Sequence, residues 1–207
     1  MPKTKFTYPN DLEQTRWLAL SKKGDQLAFR HIVETYQRPV YNLCYYMLQD
    51  ASEAEDATQE VFIRAYFKLD SYDETRKFST WLFSIASHYC LDKLKLRRIR
   101  SVSWADLAEE HYYAAEESYQ PERALVKAET TEEVSTLLMT LHPDYRTPLI
   151  LKYWLDMSYE EMAQTLDITV SAIKSRLFRG RKMMAQAFLQ QQRAISPLGQ
   201  MVPAGNY

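Results

Sequence analysis

The stretch S-Y-E-E-M-A-Q-T-L-D-I-T-V-S-A-I-K-S-R-L-F-R-G-R, residues 158–181, decides how the second half of this chain folds. Ser158 and Glu161 have the spacing of a capping box, in which the serine oxygen takes the amide of residue 161 and the glutamate reaches back to the serine amide. A short helix to Leu166 follows. Thr169 can then cap a longer helix from Val170 to about Leu189, so two helices meet across a three- or four-residue turn. Small Ala163 permits close approach, Asp167 tolerates a left-handed turn conformation, and Ile168 and Ile173 fill the angle between the helices. On the second helix Ile173, Leu177, Met184 and Phe188 form one apolar stripe, while Lys174, Ser175, Arg176, Phe178 and Arg179 make a different surface. A bihelical unit with cations on its second helix is the pattern that reads a major groove through phosphates and guanine edges. A plain helical hairpin with a basic solvent face is the competing reading.

Working outward, the 207 residues contain four glycines, and none lies between Asp25 and Arg179. Strand-and-hairpin folds need more turn residues than that, so the chain reads as all-α. Asp25 caps a helix with apolar residues at Phe29, Ile32, Val33, Tyr36, Val40, Leu43, Cys44 and Met47, in which Pro39 predicts a kink or local break. A helix from about Ser52 turns Ala54, Ala57, Val61, Ala65 and Leu69 inward. After a polar loop from Asp70 to Lys77, Ser79 or Thr80 is placed to cap a third long helix, which ends in basic residues. Trp81, at helical spacing from Ile85, reads as core more readily than as a surface ring. Asp11 to Leu20 reads as a packing helix. Residues 101–127 mix acids, tyrosines and Pro121 and read as a linker. Beyond it, Val134, Leu137, Leu138 and Leu141 mark a helix that ends at His142-Pro143, where the next begins. These boundaries predict two small helical domains, 11–100 and 128–193, joined by the acidic linker 101–127 and followed by a flexible tail, 194–207.

Net charge is −1, which excludes a globally basic nucleic-acid binder, yet the charges are sorted into blocks. Lys93, Lys95, Arg97, Arg98 and Arg100 form one basic run, and Lys174, Arg176, Arg179, Arg181, Lys182 and Arg193 another. The linker between them is strongly acidic, and Asp50, Glu53, Glu55, Asp56 and Glu60 form a second acidic cluster. A single charge run is ordinarily a solvated helix face; the alternation of blocks is harder to explain that way. Cys44 and Cys90 lie far apart in sequence, no signal-like apolar run opens the chain, and no window suits a membrane span, so the chain reads as reduced, cytoplasmic and not membrane-inserted. His31, His88, His111 and His142 form no metal-ligand spacing, and neither a phosphate-cradling glycine loop nor a catalytic constellation is present, so no metal, cofactor or enzymatic activity is expected.

Together the halves resemble the extracytoplasmic-function (ECF) sigma factors of bacterial RNA polymerase, in the sigma-70 family. A-E-D-A-T-Q-E-V-F at 54–62 and F-S-T-W-L-F-S-I-A at 78–86 look like sigma region 2. L-H-P-D-Y-R at 141–146, S-Y-E-E-M-A at 158–163 and I-K-S-R-L-F-R-G-R at 173–181 look like region 4. The resemblance implies a promoter-specificity subunit that binds core RNA polymerase, recognises the −10 and −35 promoter elements and assists melting. It implies that Asp50, Glu53, Glu55, Asp56, Gln59 and Glu60 meet the clamp helices of the largest subunit, with a further contact at the polymerase flap. It assigns the −10 element to Tyr72, Arg76, Lys77, Phe78, Ser79, Thr80, His88, Lys93, Lys95, Arg97 and Arg98, with Tyr72 and Phe78 as rings for flipped bases and Arg76 and Lys77 for phosphates. It assigns the −35 element to Ser171, Lys174, Ser175, Arg176, Phe178, Arg179 and Arg181. An anti-sigma factor is the implied regulator. His88 stands where many members carry asparagine, Asp167 replaces a turn glycine, and Gly180 replaces an alanine. The 27-residue linker, at about 3.3–3.6 Å per residue, can stretch about 90 Å, more than two DNA turns of about 34–36 Å. A polymerase-independent dimeric helix-turn-helix regulator and a helical interaction scaffold are the alternative readings; the first needs a dimer interface, and no coiled-coil heptads offer one.

Overall fold

The computed structural model describes residues 11–101 and 131–195. In chain order these form α1 (Asp11–Lys22), α2 (Gln26–Leu48), α3 (Ala51–Lys68), a 3-10 turn (Leu69–Ser71), α4 (Phe78–Ser101), α5 (Thr131–Met139), α6 (Pro143–Tyr153), α7 (Tyr159–Leu166) and α8 (Val170–Ile195). The described residues contain no strand, as the scarcity of glycine predicts. The linker lies outside the described residues except for Ser101, and so does the tail from residue 196. The last helix runs past the predicted end at Leu189, to Ile195.

Local signals place most helix starts. Asp25 Oδ1 accepts the amides of Leu27 at 2.9 Å and Ala28 at 3.1 Å, fixing the start of α2. Asp50 Oδ1 accepts the Glu53 amide at 2.8 Å and starts α3 one residue before the predicted Ser52. Pro143 occupies the first turn of α6, where its missing N–H costs nothing. Two predicted local features differ. Helix α2 passes through the buried Pro39 without a break. Helix α4 begins at Phe78, so Ser79 and Thr80 lie inside its first turn and are buried rather than capping it.

The core of the first four helices is built from small residues of α3 against larger ones of α2 and α4. Ala54, Ala57, Val61 and Ala65 are fully buried, so α3 lies close against its neighbours, and Ile32, Tyr36, Leu43, Met47, Leu82 and Phe83 fill the space. Cys44 and Cys90, distant in sequence, meet here as free, buried thiols; their mutual hydrogen bond and burial push the Cys90 thiol far above its ordinary range. In the last four helices, α8 packs on α6 and α7 through Ile173, Leu177, Met184 and Phe188, the predicted stripe. The two groups of helices also touch: α7 packs on α4, and α6 on α2 and α4.

Gly180 has a reason to lack a side chain. A Cβ built there meets Leu149 Cδ1 at 3.0 Å and the Tyr145 carbonyl oxygen at 3.2 Å, so glycine lets α8 cross α6 at close range. This offsets the roughly 1 kcal/mol that a mid-helix glycine costs relative to alanine. Gly180→Val overpacks the crossing and lowers stability by about 1–3 kcal/mol, read as a fall in the urea midpoint. An unchanged midpoint would show that the crossing has slack.

Candidate nucleic-acid interface

The helix-turn-helix is assembled by local hydrogen bonds in the predicted places. The Ser158 amide donates to Glu161 Oε2 at 2.7 Å, and the Glu161 amide donates to Ser158 Oγ at 3.1 Å. Asp167 adopts φ +53° at the end of α7, and the Ile168 amide closes the turn on the Ala163 carbonyl at 3.1 Å. The Ala172 amide donates to Thr169 Oγ1 at 3.1 Å, capping α8. With Ile173 and Leu177 buried beneath, α8 turns its first turns outward: Ser171, Lys174 and Ser175 are exposed, and Arg176, Phe178, Arg179 and Arg181 are half-buried. The Lys174 ammonium lies 5.8 Å from the centre of the Tyr159 ring, so the aromatic helps hold a cation at this end of the helix.

The acidic cluster divides. Glu55, Asp56 and Gln59 are exposed on α3, and Glu60 faces out while pairing with Arg64 at 2.7 Å. Asp50 serves as the cap of α3. Glu53 turns toward α4, where it pairs with Arg97 and, at 3.6 Å, with Lys93. The hydrogen bond from Arg97, together with the nearby cations, holds Glu53 below the ordinary carboxylate range against the opposing effect of burial. One acid assigned to polymerase thus neutralises two cations assigned to DNA. Ile63 and Phe67 complete the outward stripe. With Asp56, Gln59 and Glu60 they fall at i, i+3, i+4, i+7 and i+11, and they are 51% and 80% exposed. The sequence carried a signal for them, since both are out of phase with the inward alanines.

The segment assigned to the −10 element also divides. Phe78 is 0% exposed, packed edge-on to Tyr36 at 5.4 Å, and is a core residue rather than a ring for a base. Tyr72 is 7% exposed, lies against Phe78 and Trp81, and donates its hydroxyl to the Arg76 carbonyl. Burial, with Glu74 and Asp73 nearby, pushes that hydroxyl above its ordinary range. Ser79 and Thr80 are buried beside them. A loop aromatic reads as available in sequence; here the loop folds its rings inward, with Trp81 left half-buried over them. Arg76 and Lys77 remain exposed on the rim, Arg76 3.5 Å from Asp73 and Lys77 2.7 Å from Glu161 of α7. Along α4, His88, Lys95 and Arg98 are exposed, and Lys93 and Arg97 half-buried. His88 Nδ1 lies 2.8 Å from the Ser84 carbonyl, a bond along its own helix. Among the described residues, no group of three or more His, Cys, Asp or Glu side chains is placed to hold a metal ion, and no helix is long and apolar enough to cross a membrane.

Comparison with known proteins matches this layout in both halves. Residues 32–101 match Sigma-70 region 2, and residues 131–184 match Sigma-70, region 4. The chain is 38% identical over 168 residues to the ECF RNA polymerase sigma factor SigW of Bacillus subtilis, covering 79% of this chain and 90% of that one. It is 34% identical to the RNA polymerase sigma-H factor of Pseudomonas aeruginosa, covering 80% of this chain and 89% of that one. With the ECF RNA polymerase sigma-E factor of Escherichia coli K12 the identity is 32%, over 78% and 86%. Its fold is similar to CnrH, solved with the cytosolic domain of CnrY (TM-score 0.61, 21% identity, 86% of this chain and 98% of that one). It is also similar to RpoE of Bartonella quintana, solved with the anti-sigma factor NepR (TM-score 0.59, 20% identity, 78% and 96%). The chain belongs to the ECF sigma factors, the sigma-70 proteins that serve RNA polymerase as promoter-specificity subunits.

The Glu53 bridge can be tested by titration. Because its folded-state pKa is depressed, the bridge adds stability above the ordinary carboxylate range, and that contribution disappears as pH falls through the depressed value. Arg97→Gln brings the Glu53 carboxyl back up toward the ordinary range in an NMR titration. An unmoved Glu53 would show that Arg97 is not its controlling partner.

Proposed function

We infer that the chain divides its work between two domains: the first binds core polymerase and opens the −10 element, and the second reads the −35 element. The observation that carries this reading is the outward stripe of α3, acidic at Asp56 and Glu60 and apolar at Ile63 and Phe67, on the opposite half of the chain from the cationic face of α8. An acidic face with apolar anchors suits a basic partner helix, such as the clamp helices of the largest polymerase subunit. A cationic helix held at an angle by a tight turn suits phosphates and base edges. The flap of the polymerase is a second contact, reached by the domain that carries α8.

At the −10 element, Arg76 and Lys77 supply phosphate contacts, His88, Lys95 and Arg98 line the exposed side of α4, and the half-buried Trp81, packed on the buried Tyr72, is the aromatic ring nearest the rim. Opening a base-pair step costs about 1.4 kcal/mol of stacking, and a captured base recovers about 1–3 kcal/mol on an aromatic ring. A few captured bases therefore offset local melting without covalent chemistry. The protein acts as a dissociable specificity factor and not as an enzyme, and it works in the cytoplasm with the polymerase. An anti-sigma factor is its expected regulator, in keeping with the partners present in the solved CnrH and RpoE complexes.

Two double variants separate the roles. Arg176→Ala with Arg179→Ala weakens use of the −35 element, each lost bidentate base contact costing about 1–3 kcal/mol, and leaves polymerase binding intact. Asp56→Lys with Glu60→Lys abolishes polymerase binding and leaves duplex binding in place. Native gel shifts with core polymerase and with promoter duplex read both. Loss of polymerase binding in the arginine variant would refute the division.

A further inference from the structure

We propose that Lys22, the last residue of α1, is a positioning residue for promoter opening: it draws the Glu74 carboxylate away from the DNA-facing cations of the loop at 72–77 and ties that loop to the body of the first four helices. The inference rests on the reading of this loop as a −10 contact.

The loop carries an unexpected charge pattern for a segment that approaches phosphates. Asp73 and Glu74 stand just before Arg76 and Lys77, and all four are exposed. A carboxylate aimed at a phosphate repels it, so each acid needs another task if the loop is to meet DNA. Asp73 finds its task inside the loop. Its Oδ1 accepts the Thr75 hydroxyl at 2.6 Å and the Thr75 amide at 3.0 Å, its carbonyl accepts the Arg76 amide at 3.1 Å, and its Oδ2 lies 3.5 Å from the Arg76 guanidinium. The bonds from Thr75, with Arg76 behind them, hold the Asp73 carboxyl below the ordinary range. Glu74 has its partner outside the loop: Lys22 Nζ, fifty-two positions earlier, donates to its Oε1 at 2.6 Å.

Lys22 is well placed to act as the anchor. Helix α1 is fixed by the buried Leu18 and by the Tyr36 hydroxyl, which donates to Gln14 Oε1 at 2.6 Å. Tyr36 in turn packs on Phe78, and Phe78 on Tyr72, so α1 and the loop are seated on the same rings. The Lys22 ammonium also lies 5.7 Å from the centre of the Tyr72 ring, and it closes α1 at the end where a cation is favoured. Its side chain is 23% exposed against 67% for Glu74, so the lysine is the held partner and the carboxylate the arm that it draws in. Without Lys22 the carboxylate is released beside Arg76 and Lys77, and Tyr72 loses a contact. An exposed ion pair adds little to folding, so the loss falls on opening rather than on stability.

The test uses the full chain with core polymerase, at a promoter located from its own transcript starts, with permanganate reactivity of unpaired thymines reading the opening of the −10 element. Lys22→Ala should lower the opening equilibrium about fivefold, and Lys22→Arg should retain it. Polymerase association, −35 duplex binding and the urea midpoint should not move. In a Glu74→Gln background the same alanine change should cost about twofold or less, because the carboxylate that it releases is gone. A role for Lys22 in the packing of α1 alone would give equal losses in both backgrounds. Full opening by Lys22→Ala, or that equal loss, would overturn the proposal. If the unaltered protein opens no promoter, the promoter-factor reading fails; amide hydrogen exchange in the free full-length chain then still decides the tie. Lys22→Ala should speed exchange at Thr75 and Arg76, and unchanged rates there would overturn the proposal.

Discussion

The carbonyl end of α2 is the point on which the structure depends. A helix C-terminus presents unsatisfied carbonyls and a partial negative charge, and leaving these unpartnered in a packed interior would be costly. Here Gln49 adopts a left-handed conformation and returns its amide to Tyr45, the Leu48 carbonyl accepts Arg97 of α4 at 3.2 Å, and the Met47 carbonyl accepts Arg146 of α6. Arg97 also grips Glu53 near the start of α3, so one helix end fixes the positions of α3, α4 and α6. The guanidinium suits this task because its donors diverge in a plane and its charge persists; burial lowers the Arg146 pKa only from a very high ordinary value.

The same economy governs the placing of charge on the surface. Glu53 and Asp50 are spent on internal structure, which leaves the α3 surface to Glu55, Asp56, Gln59 and Glu60 with Ile63 and Phe67 beside them. On α8 the buried stripe and Gly180 set the helix against α6, and that packing turns Lys174 and Ser175 outward. Function arises from which face each helix must bury, since the opposite face is then available to a partner.

Features written in local sequence were legible. The capping box at Ser158 and Glu161, the left-handed Asp167, the Thr169 cap and the inward alanines of α3 each depend on residues within a turn or two of one another. Features that depend on distant partners were not. Phe78 beside a polar loop reads as an accessible ring, yet Tyr36, forty-two positions earlier, covers it. No residue next to Arg146 in sequence marks it as buried; the end of α2, ninety-nine positions earlier, does that. Glu53 reads as one acid among several until Arg97 claims it. Ile63 and Phe67 are local too: both lie out of phase with the inward alanines of α3 and are exposed for that reason.

The central claim is that one chain carries two promoter-reading surfaces and a polymerase-docking stripe. Run-off transcription with core RNA polymerase on a genomic fragment library, with and without the protein, tests it most directly when transcript starts are sequenced. The account predicts new, protein-dependent starts that share two upstream motifs at fixed spacing. A folded protein that yields no new starts and does not associate with polymerase would contradict it.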